Sequence, residues 1–410
     1  MALSSPTRPS ATRRVVVTPA GPSLWTRLDW TLLLPTVALL SLGALLVWSA
    51  TAHNDALTDG DSTGYVVRHL VNIGIGGVLC CLVAATDHRW VRIWSPAVYL
   101  ASLIGLALVF VPGVGTSING SRSWIDLAGL TLQPAEFAKL AVIVSIALVV
   151  AERAERRRTP TFLRHRDVLL LLLIAALPAV LITLQPDLGT MLVFSAMVFG
   201  VLALAGLSKR WLAALVLGTV AAGFAALQSG LLEEYQLDRF AAFTDPSLDP
   251  LGAGYNTTQA RIAIGNGGLF GQGLLDGSQT QSGFVPEQHT DFVFTVAGEE
   301  LGLVGATAVV GLLGLLLWRG LRIALHAPDL FGRVAAGGIV CWLGFQAFQN
   351  IGMCLGIMPV TGVPLPLVSY GGTSMFATMV AIGMLLNIHL RTENSLGLGV
   401  VRSRLARSRF

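Results

Sequence analysis

Long apolar runs separated by short polar segments dominate the chain. A helix needs about 20 apolar residues to cross the core of a bilayer, and the first run, Thr31–Ala50, carries no charge. Nine further runs follow the same pattern: Leu70–Ala85, Ile93–Val111, Leu132–Val150, Val168–Leu184, Leu188–Leu207, Trp211–Leu227, Phe292–Leu317, Val334–Gly352 and Thr373–Ile388. The pattern predicts an all-α polytopic membrane protein with about ten transmembrane helices.

Positive charges predict how these helices are oriented, because cytoplasmic segments of membrane proteins carry an excess of Lys and Arg. With ten spans and both termini inside, 22 of the 27 Lys and Arg residues are cytoplasmic. This predicts basic cytoplasmic tails at 1–30 and 391–410, one membrane domain at 31–390, and a large extracytoplasmic loop at 228–289 between spans seven and eight. Five cations remain at the outer face or in the membrane: Arg68, Arg122, Lys139, Arg239 and Arg261.

Composition narrows the class of protein. The chain is 53% hydrophobic and only 12% charged, about half the charged share of soluble domains. Ordinary soluble enzymes, disordered chains and disulfide scaffolds are thereby excluded. The net charge of +4 is too small for this length to indicate a nucleic-acid binder. The four cysteines lie in apolar runs, which favours buried thiols over disulfides or a metal site.

Ionisable residues inside the apolar runs are candidates for function, since such groups are costly in a membrane. Glu136 and Lys139 begin span four and share a helix face at a spacing of three; a self-satisfied structural pair is the alternative to a functional one. Glu299 and Glu300 lie in span eight, and two adjacent carboxylates there cannot both face lipid. We expect one of them to pair with Lys139, although the sequence does not say which.

Polar residues at the outer ends of the spans form a second group of candidates. Asp291 stands at the mouth of span eight, as either a helix cap or a general base or cation ligand. Arg122 and Trp124 fit either an interfacial anchor or a ligand site. The glycine-rich segment 265–273 can cradle phosphate or serve as a linker. The segment Met358–Thr373 has three prolines and cannot be a regular helix, which at membrane depth indicates a protein-lined cavity.

Seven strings in one order carry a family resemblance over about residues 119–373. They are NGSRSW, LQPAEFAK, LQPDLGT, RIAIGNGGLFGQG, VPEQHTDFVF, GEELGLVG and TGVPLPLVSYGG. Together they closely resemble the FtsW/RodA/SpoVE (SEDS) family of bacterial membrane proteins, and PEQHTDF and GVPLPLVSYGG are most similar to its RodA, or elongation, branch.

The resemblance implies a peptidoglycan glycosyltransferase in the cytoplasmic membrane of a bacterium. Its substrate would be lipid II, polymerised at the outer face, and its partner a class B penicillin-binding protein, the transpeptidase that crosslinks the strand. By the same resemblance, the essential acid falls on Asp291. The candidate substrate-binding residues are Arg122, Trp124, Glu136, Lys139, Arg239, Arg261, Glu299, Glu300 and Ser369.

The chemistry of the residues suits such a reaction. A carboxylate such as Asp291 can deprotonate the acceptor hydroxyl, and cations can stabilise a departing pyrophosphate. A divalent metal ion could share the second task, although no carboxylate cluster identifies its ligands. Two alternatives stay open: a flippase or transporter of a lipid-linked precursor, and a non-catalytic activator of the transpeptidase.

Overall fold

The computed structural model describes residues 28–52, 61–118, 121–127, 130–157, 163–229, 234–249 and 252–407. Most of the predicted N-terminal tail, 1–27, lies outside the described residues. The helices of the first half are α1 (Trp30–Ala52), α2 (Gly64–Ala85), α3 (His88–Leu108), α4 (Pro134–Arg157), α5 (His165–Thr183), α6 (Leu188–Leu204) and α7 (Lys209–Ser229). Those of the second half are α8 (Glu234–Thr244), α9 (Ala253–Asn266), α10 (Ser278–Ser282), α11 (Val293–Glu300), α12 (Gly302–His326), α13 (Leu330–Leu355) and α14 (Gly372–Arg407), with a 3-10 turn at Pro246–Leu248.

Each of the ten apolar runs coincides with helix, so the predicted all-α polytopic membrane fold is confirmed. Eight of the described helices are long and apolar enough to cross a membrane, and Leu188–Leu204 is a shorter apolar helix. The count of ten spans and the N-in/C-in orientation stay predictions. The run Phe292–Leu317 is not one continuous helix, because it breaks after Glu300 and resumes at Gly302 with a φ of 67°.

The helices pack around a centre made by α4, α13 and α14, whose apolar segments are mostly buried. α2 lies along α14, and α8, the 3-10 turn, α9 and α10 organise the predicted outer loop 228–289. α14 continues to Arg407, so the predicted C-terminal tail prolongs the last apolar helix. Among the thiols, Cys80 and Cys354 are buried as expected, whereas Cys81 is exposed on α2.

A small antiparallel sheet follows α3 and was not predicted. Its strands, in the order β1-β2-β3, are Gly115–Ile118, Ser121–Leu127 and Leu130–Leu132. Thr116 pairs with Trp124 while Ser117 pairs with Arg122, so Ser123 is an extra residue in β2. Such a bulge re-aims side chains, and the successive residues Ser123 and Trp124 consequently line one cavity.

The glycine-rich segment packs its backbone against the break in span eight. A Cβ at Gly267 would lie 1.9 Å from the carbonyl oxygen of Gly298, and one at Gly271 would lie 2.0 Å from that of Glu300. The backbone carbonyls of Gly268 and Leu269 accept the first N–H groups of α12, at 2.9 and 3.1 Å. These glycines therefore serve neither as a flexible linker nor as a phosphate cradle. They form a seam, 267–273 against 298–304, that caps a helix.

Candidate functional site

A cavity of about 740 Å³ lies where the outer helix ends, the sheet and the proline-rich segment meet. Its wall includes the carboxylate residues Asp187, Glu287 and Asp291 and the cations Arg68 and Arg239. The other lining residues are Val67, Val71, Asn72, Ser121, Ser123, Trp124, Thr131, Gln133, Pro186, Leu188, Thr290, Thr361, Gly362, Pro364, Tyr370, Gly371, Gly372, Thr373 and Ser374. The predicted site residues Trp124, Arg239 and Asp291 are thus brought together.

Asp291 ends a tight turn just before α11. Backbone N–H groups of Thr290, Asp291 and Phe292 donate to the carbonyl oxygen of Glu287 at 3.0–3.2 Å. Phe292, not Asp291, is the N-cap of α11, so the capping interpretation of this carboxylate is wrong. Among the described residues, no side chain or backbone N–H donates a hydrogen bond to the Asp291 carboxylate, which leaves both its oxygens available to a ligand in the cavity.

The electrostatics of Asp291 suit a proton acceptor. Desolvation, reinforced by the neighbouring charges of Glu287 and Asp187, raises the pKa of Asp291 to about 7, although Arg239 opposes the rise. Gly362 leaves room beside the carboxylate, because a Cβ there would lie 3.1 Å from Asp291 Oδ2. A carboxyl group with a pKa near the working pH transfers protons efficiently.

Three buried amides on α13 hold this region in place. Asn350 Nδ2 donates to the carbonyls of Asp291 and Val363, both at 2.7 Å. Gln349 Nε2 donates to Thr361 Oγ1 at 2.7 Å, and Gln346 Nε2 donates to the carbonyl of Pro364 at 3.0 Å. The sequence analysis missed these residues, although the spacing of 346, 349 and 350 puts all three on one face of an otherwise apolar helix.

The two glutamine-proline strings meet beside the cavity. Gln133, from the string that begins α4, donates through Nε2 to Asp187 Oδ2 at 2.9 Å. Asp187 in turn caps α6, since its Oδ1 accepts the Thr190 N–H at 3.0 Å. The helix starts of α4 and α6 are thereby tied together, and each contributes polar groups to the cavity wall.

The cations of the cavity stand on α8 and α2. α8 docks through Gln236, whose Nε2 donates to the carbonyl of Pro186 at 3.1 Å, and this contact holds Arg239 near Asp291. Arg68 on α2 lies over the Tyr65 ring at 5.9 Å. The guanidinium of Arg68 also acts electrostatically on the Tyr370 side chain. The sequence analysis counted Arg68 among the outward cations but did not select it.

The Glu136–Lys139 pair lies away from the cavity wall. Lys139 Nζ donates to Glu136 Oε1 at 2.7 Å and to Gln346 Oε1 at 2.9 Å, and it lies 5.0 Å from the centre of the Trp342 ring. Lys139 is 0% exposed and Glu136 2%. Neither Glu136 nor Lys139 is among the described residues that line the cavity. The geometry favours a structural pair, and a substrate contact by it stays a prediction.

Neither glutamate of span eight pairs with Lys139, which corrects the sequence analysis. Glu299 instead accepts the backbone N–H groups of Gln279 at 2.7 Å and Thr280 at 2.9 Å, and so fixes α10. Glu300 Oε1 accepts a hydrogen bond from Ser49 on α1 at 2.5 Å. The carboxylate of Glu299 faces α10 and that of Glu300 faces α1, so neither pairs with Lys139 on α4.

Three other candidates lie outside the main cavity as the described residues define it. Arg122 donates to the carbonyl of Val111 at 3.1 Å. Ser369 accepts the Leu365 N–H at 2.8 Å and closes the turn before Tyr370. Arg261, on α9, lines a neighbouring cavity that it shares with Arg239.

The described side chains around the cavity do not by themselves identify a metal-ion site. In the part of the chain that the structure describes, no group of three or more His, Cys, Asp or Glu side chains could hold a metal ion. One carboxyl oxygen of Asp187 already accepts a hydrogen bond from Gln133, which leaves fewer free oxygen ligands for a metal ion in the cavity. A metal that bridges one or two carboxylates and substrate phosphates needs no such group, so a divalent-metal requirement stays a prediction.

Comparison with known proteins gives consistent matches over nearly the whole chain. A family profile described as cell cycle protein, FtsW/RodA/SpoVE, matches residues 30–394. The peptidoglycan glycosyltransferase MrdB of Escherichia coli is 42% identical over 362 residues, which is 88% of this chain and 93% of MrdB. Stage V sporulation protein E of Bacillus subtilis is 38% identical over 88% of this chain and 96% of its own length.

Solved structures agree. The rod shape determining protein RodA of Thermus thermophilus is 34% identical with a TM-score of 0.65, covering 89% of this chain and 97% of RodA. A chain described in work on the structural coordination of polymerization and crosslinking by a peptidoglycan synthase complex is 35% identical with a TM-score of 0.73, covering 89% and 98%. The apolar helices and these relatives indicate a multi-pass protein of the bacterial cytoplasmic membrane. The chain belongs to the FtsW/RodA/SpoVE family of cell cycle proteins.

Proposed function

We propose that this protein is a peptidoglycan glycosyltransferase of the RodA type that polymerises lipid II into glycan strands at the outer face of the cytoplasmic membrane. The names of relatives that match nearly end to end support this activity. The observation that carries it is Asp291, whose carboxylate points into a polar cavity beside Arg239 and has a pKa raised to about 7.

The residues of the cavity divide the chemistry between them. Asp291 takes the proton of the acceptor sugar hydroxyl. The oxygen of that hydroxyl forms the new bond to the anomeric carbon of the donor. The bond from that carbon to the pyrophosphate oxygen breaks, and the electron pair leaves with the pyrophosphate. Arg239 and Arg68 stabilise the charge that develops there. Trp124 and Tyr370 offer aromatic faces for sugar rings.

The position of the cavity favours an enzyme over a carrier. Its lining residues come from the small sheet, loops and the outer parts of helices, which the predicted topology places at or near the outer face. A carrier instead places its binding site near the midplane, with alternating access to both sides. A cavity at one face suits a reaction on substrates whose lipid tails remain in one leaflet.

The partner in this proposal is a class B penicillin-binding protein. Support comes from the chain in the peptidoglycan synthase complex, in which polymerization and crosslinking are coordinated. A transpeptidase held beside the polymerase would receive the strand as it emerges.

The test is polymerisation of labelled lipid II by the purified protein, with and without its transpeptidase, separated on a gel. Asp291→Asn keeps the size of the side chain but removes its basicity, and we expect a loss of about 10²–10⁴-fold in rate. Asp238→Asn is the matched control, since it removes an exposed carboxylate from α8 outside the cavity. An Asp291→Asn protein within a few-fold of wild type would rule out the assignment. Normal polymer from the transpeptidase alone would indicate an activator instead.

A further inference from the structure

A second, smaller cavity of about 160 Å³ lies between α8, α9 and the segment that follows α13. Two arginines, Arg239 and Arg261, line it, and no described lining residue carries a carboxylate. The main cavity, by contrast, has three carboxylate residues in its wall.

The fold builds this cavity around the end of α13. Gly356 ends that helix with a φ of 75°, a conformation that favours glycine. A Cβ at Gly356 would lie 3.2 Å from Thr257 Cγ2 and 3.5 Å from Arg261 Nε. The glycine therefore lets α9 approach closely enough to bring the guanidinium of Arg261 to the same small space as Arg239.

We propose that this second cavity is a binding site for a phosphate or pyrophosphate group. Two guanidinium groups offer several charge-assisted donors in the planar geometry that phosphate oxygens accept. Two threonines, Thr244 and Thr257, add hydroxyl groups to the same wall. No carboxylate is among the described residues of this wall.

The connection to catalysis rests on the proposed glycosyl transfer. Arg239 belongs to both cavity walls. When the bond between sugar and pyrophosphate breaks, the departing anion faces the carboxylates of the main cavity on one side and two cations on the other. Moving past Arg239 into the second cavity separates it from Asp291 without losing contact with a cation. The site would thus hold the leaving group while the product strand shifts.

The test measures anion binding directly rather than activity. Inorganic pyrophosphate is titrated calorimetrically into the full-length protein in phosphatidylcholine nanodiscs. We expect Arg261→Gln to weaken binding about tenfold or more, as the loss of a charge-assisted contact does. Arg261→Lys, which keeps the charge, should retain part of the affinity. Arg322→Gln is the control, because it removes the same charge from an exposed position outside both cavities.

The outcomes separate this proposal from others. Equal pyrophosphate affinity in wild type and Arg261→Gln overturns it, and a lower melting temperature with unchanged binding shows that Arg261 only stabilises the end of α13. Weaker pyrophosphate binding in nanodiscs of phosphatidylglycerol would identify a lipid headgroup as the source of the phosphate. Equal pyrophosphate binding in both lipids favours the substrate as the source. If Arg261-dependent binding persists in a protein that makes no polymer from lipid II, the phosphate site stands and the glycosyltransferase proposal fails.

Discussion

Replacing Lys139 with methionine tests whether the buried ion pair is structural. Methionine keeps the length of the side chain and its packing against Trp342, but Glu136 Oε1 loses its partner at 2.7 Å. The other oxygen, Oε2, already has no hydrogen-bond partner among the described residues. Breaking a buried pair in this way costs about 3–5 kcal/mol.

The assay is equilibrium unfolding in mixed micelles with a rising fraction of dodecyl sulfate. A second variant, Glu136→Gln combined with Lys139→Met, removes both charges and should recover most of the loss. Stability of the single variant within about 0.5 kcal/mol of wild type would refute the structural role. If that variant also failed to polymerise lipid II, the pair would have the substrate-binding role that the sequence predicts.

Three further predictions concern the cavity and its support. Only ionised Asp291 accepts a proton, and its pKa is raised to about 7. We therefore expect kcat/KM, measured from initial rates of polymerisation, to fall about tenfold per pH unit below 7. A flat profile from pH 5 to 8 would contradict this. Gly271→Ala should abolish folded protein in membranes, since its Cβ meets a carbonyl at 2.0 Å, whereas Gly218→Ala, with open space around it, should express normally. Glu299→Gln should expose 267–283 to protease and lower the free energy of unfolding by about 1–3 kcal/mol, the penalty for unpaired buried N–H groups. Unchanged cleavage would argue against the role of Glu299 in fixing α10.

The fold was largely predictable because hydrophobic length is a strong signal. Ten apolar runs predicted ten helical segments, and the lengths alone placed Asp291 at the end of one of them. The break in span eight could not be predicted in the same way, because Leu301 and Gly302 lie inside a single long apolar run whose length gives no sign of an interruption. That break is stabilised by backbone contacts with residues about 30 positions earlier, which no local pattern contains.

The candidate site was partly predictable from the sequence. Asp291, Trp124 and Arg239, each selected from the sequence, line one cavity, and their roles stay predictions. The expected contact between Lys139 and span eight was wrong because spacing along a helix predicts local neighbours but not which helix lies opposite. The amides of α13 were missed because the search for functional residues inside the spans was based on ionisable groups, and these side chains are uncharged.

The seam between 267–273 and 298–304 has a mechanical consequence. Four backbone hydrogen bonds cross it, from Gln272 and Gly273 to the end of α11 and from the start of α12 to Gly268 and Leu269. Local opening requires such bonds to break together, so this part of the outer loop cannot swing independently of the helices beneath it. Movement of this segment therefore requires the ends of α11 and α12 to move with it.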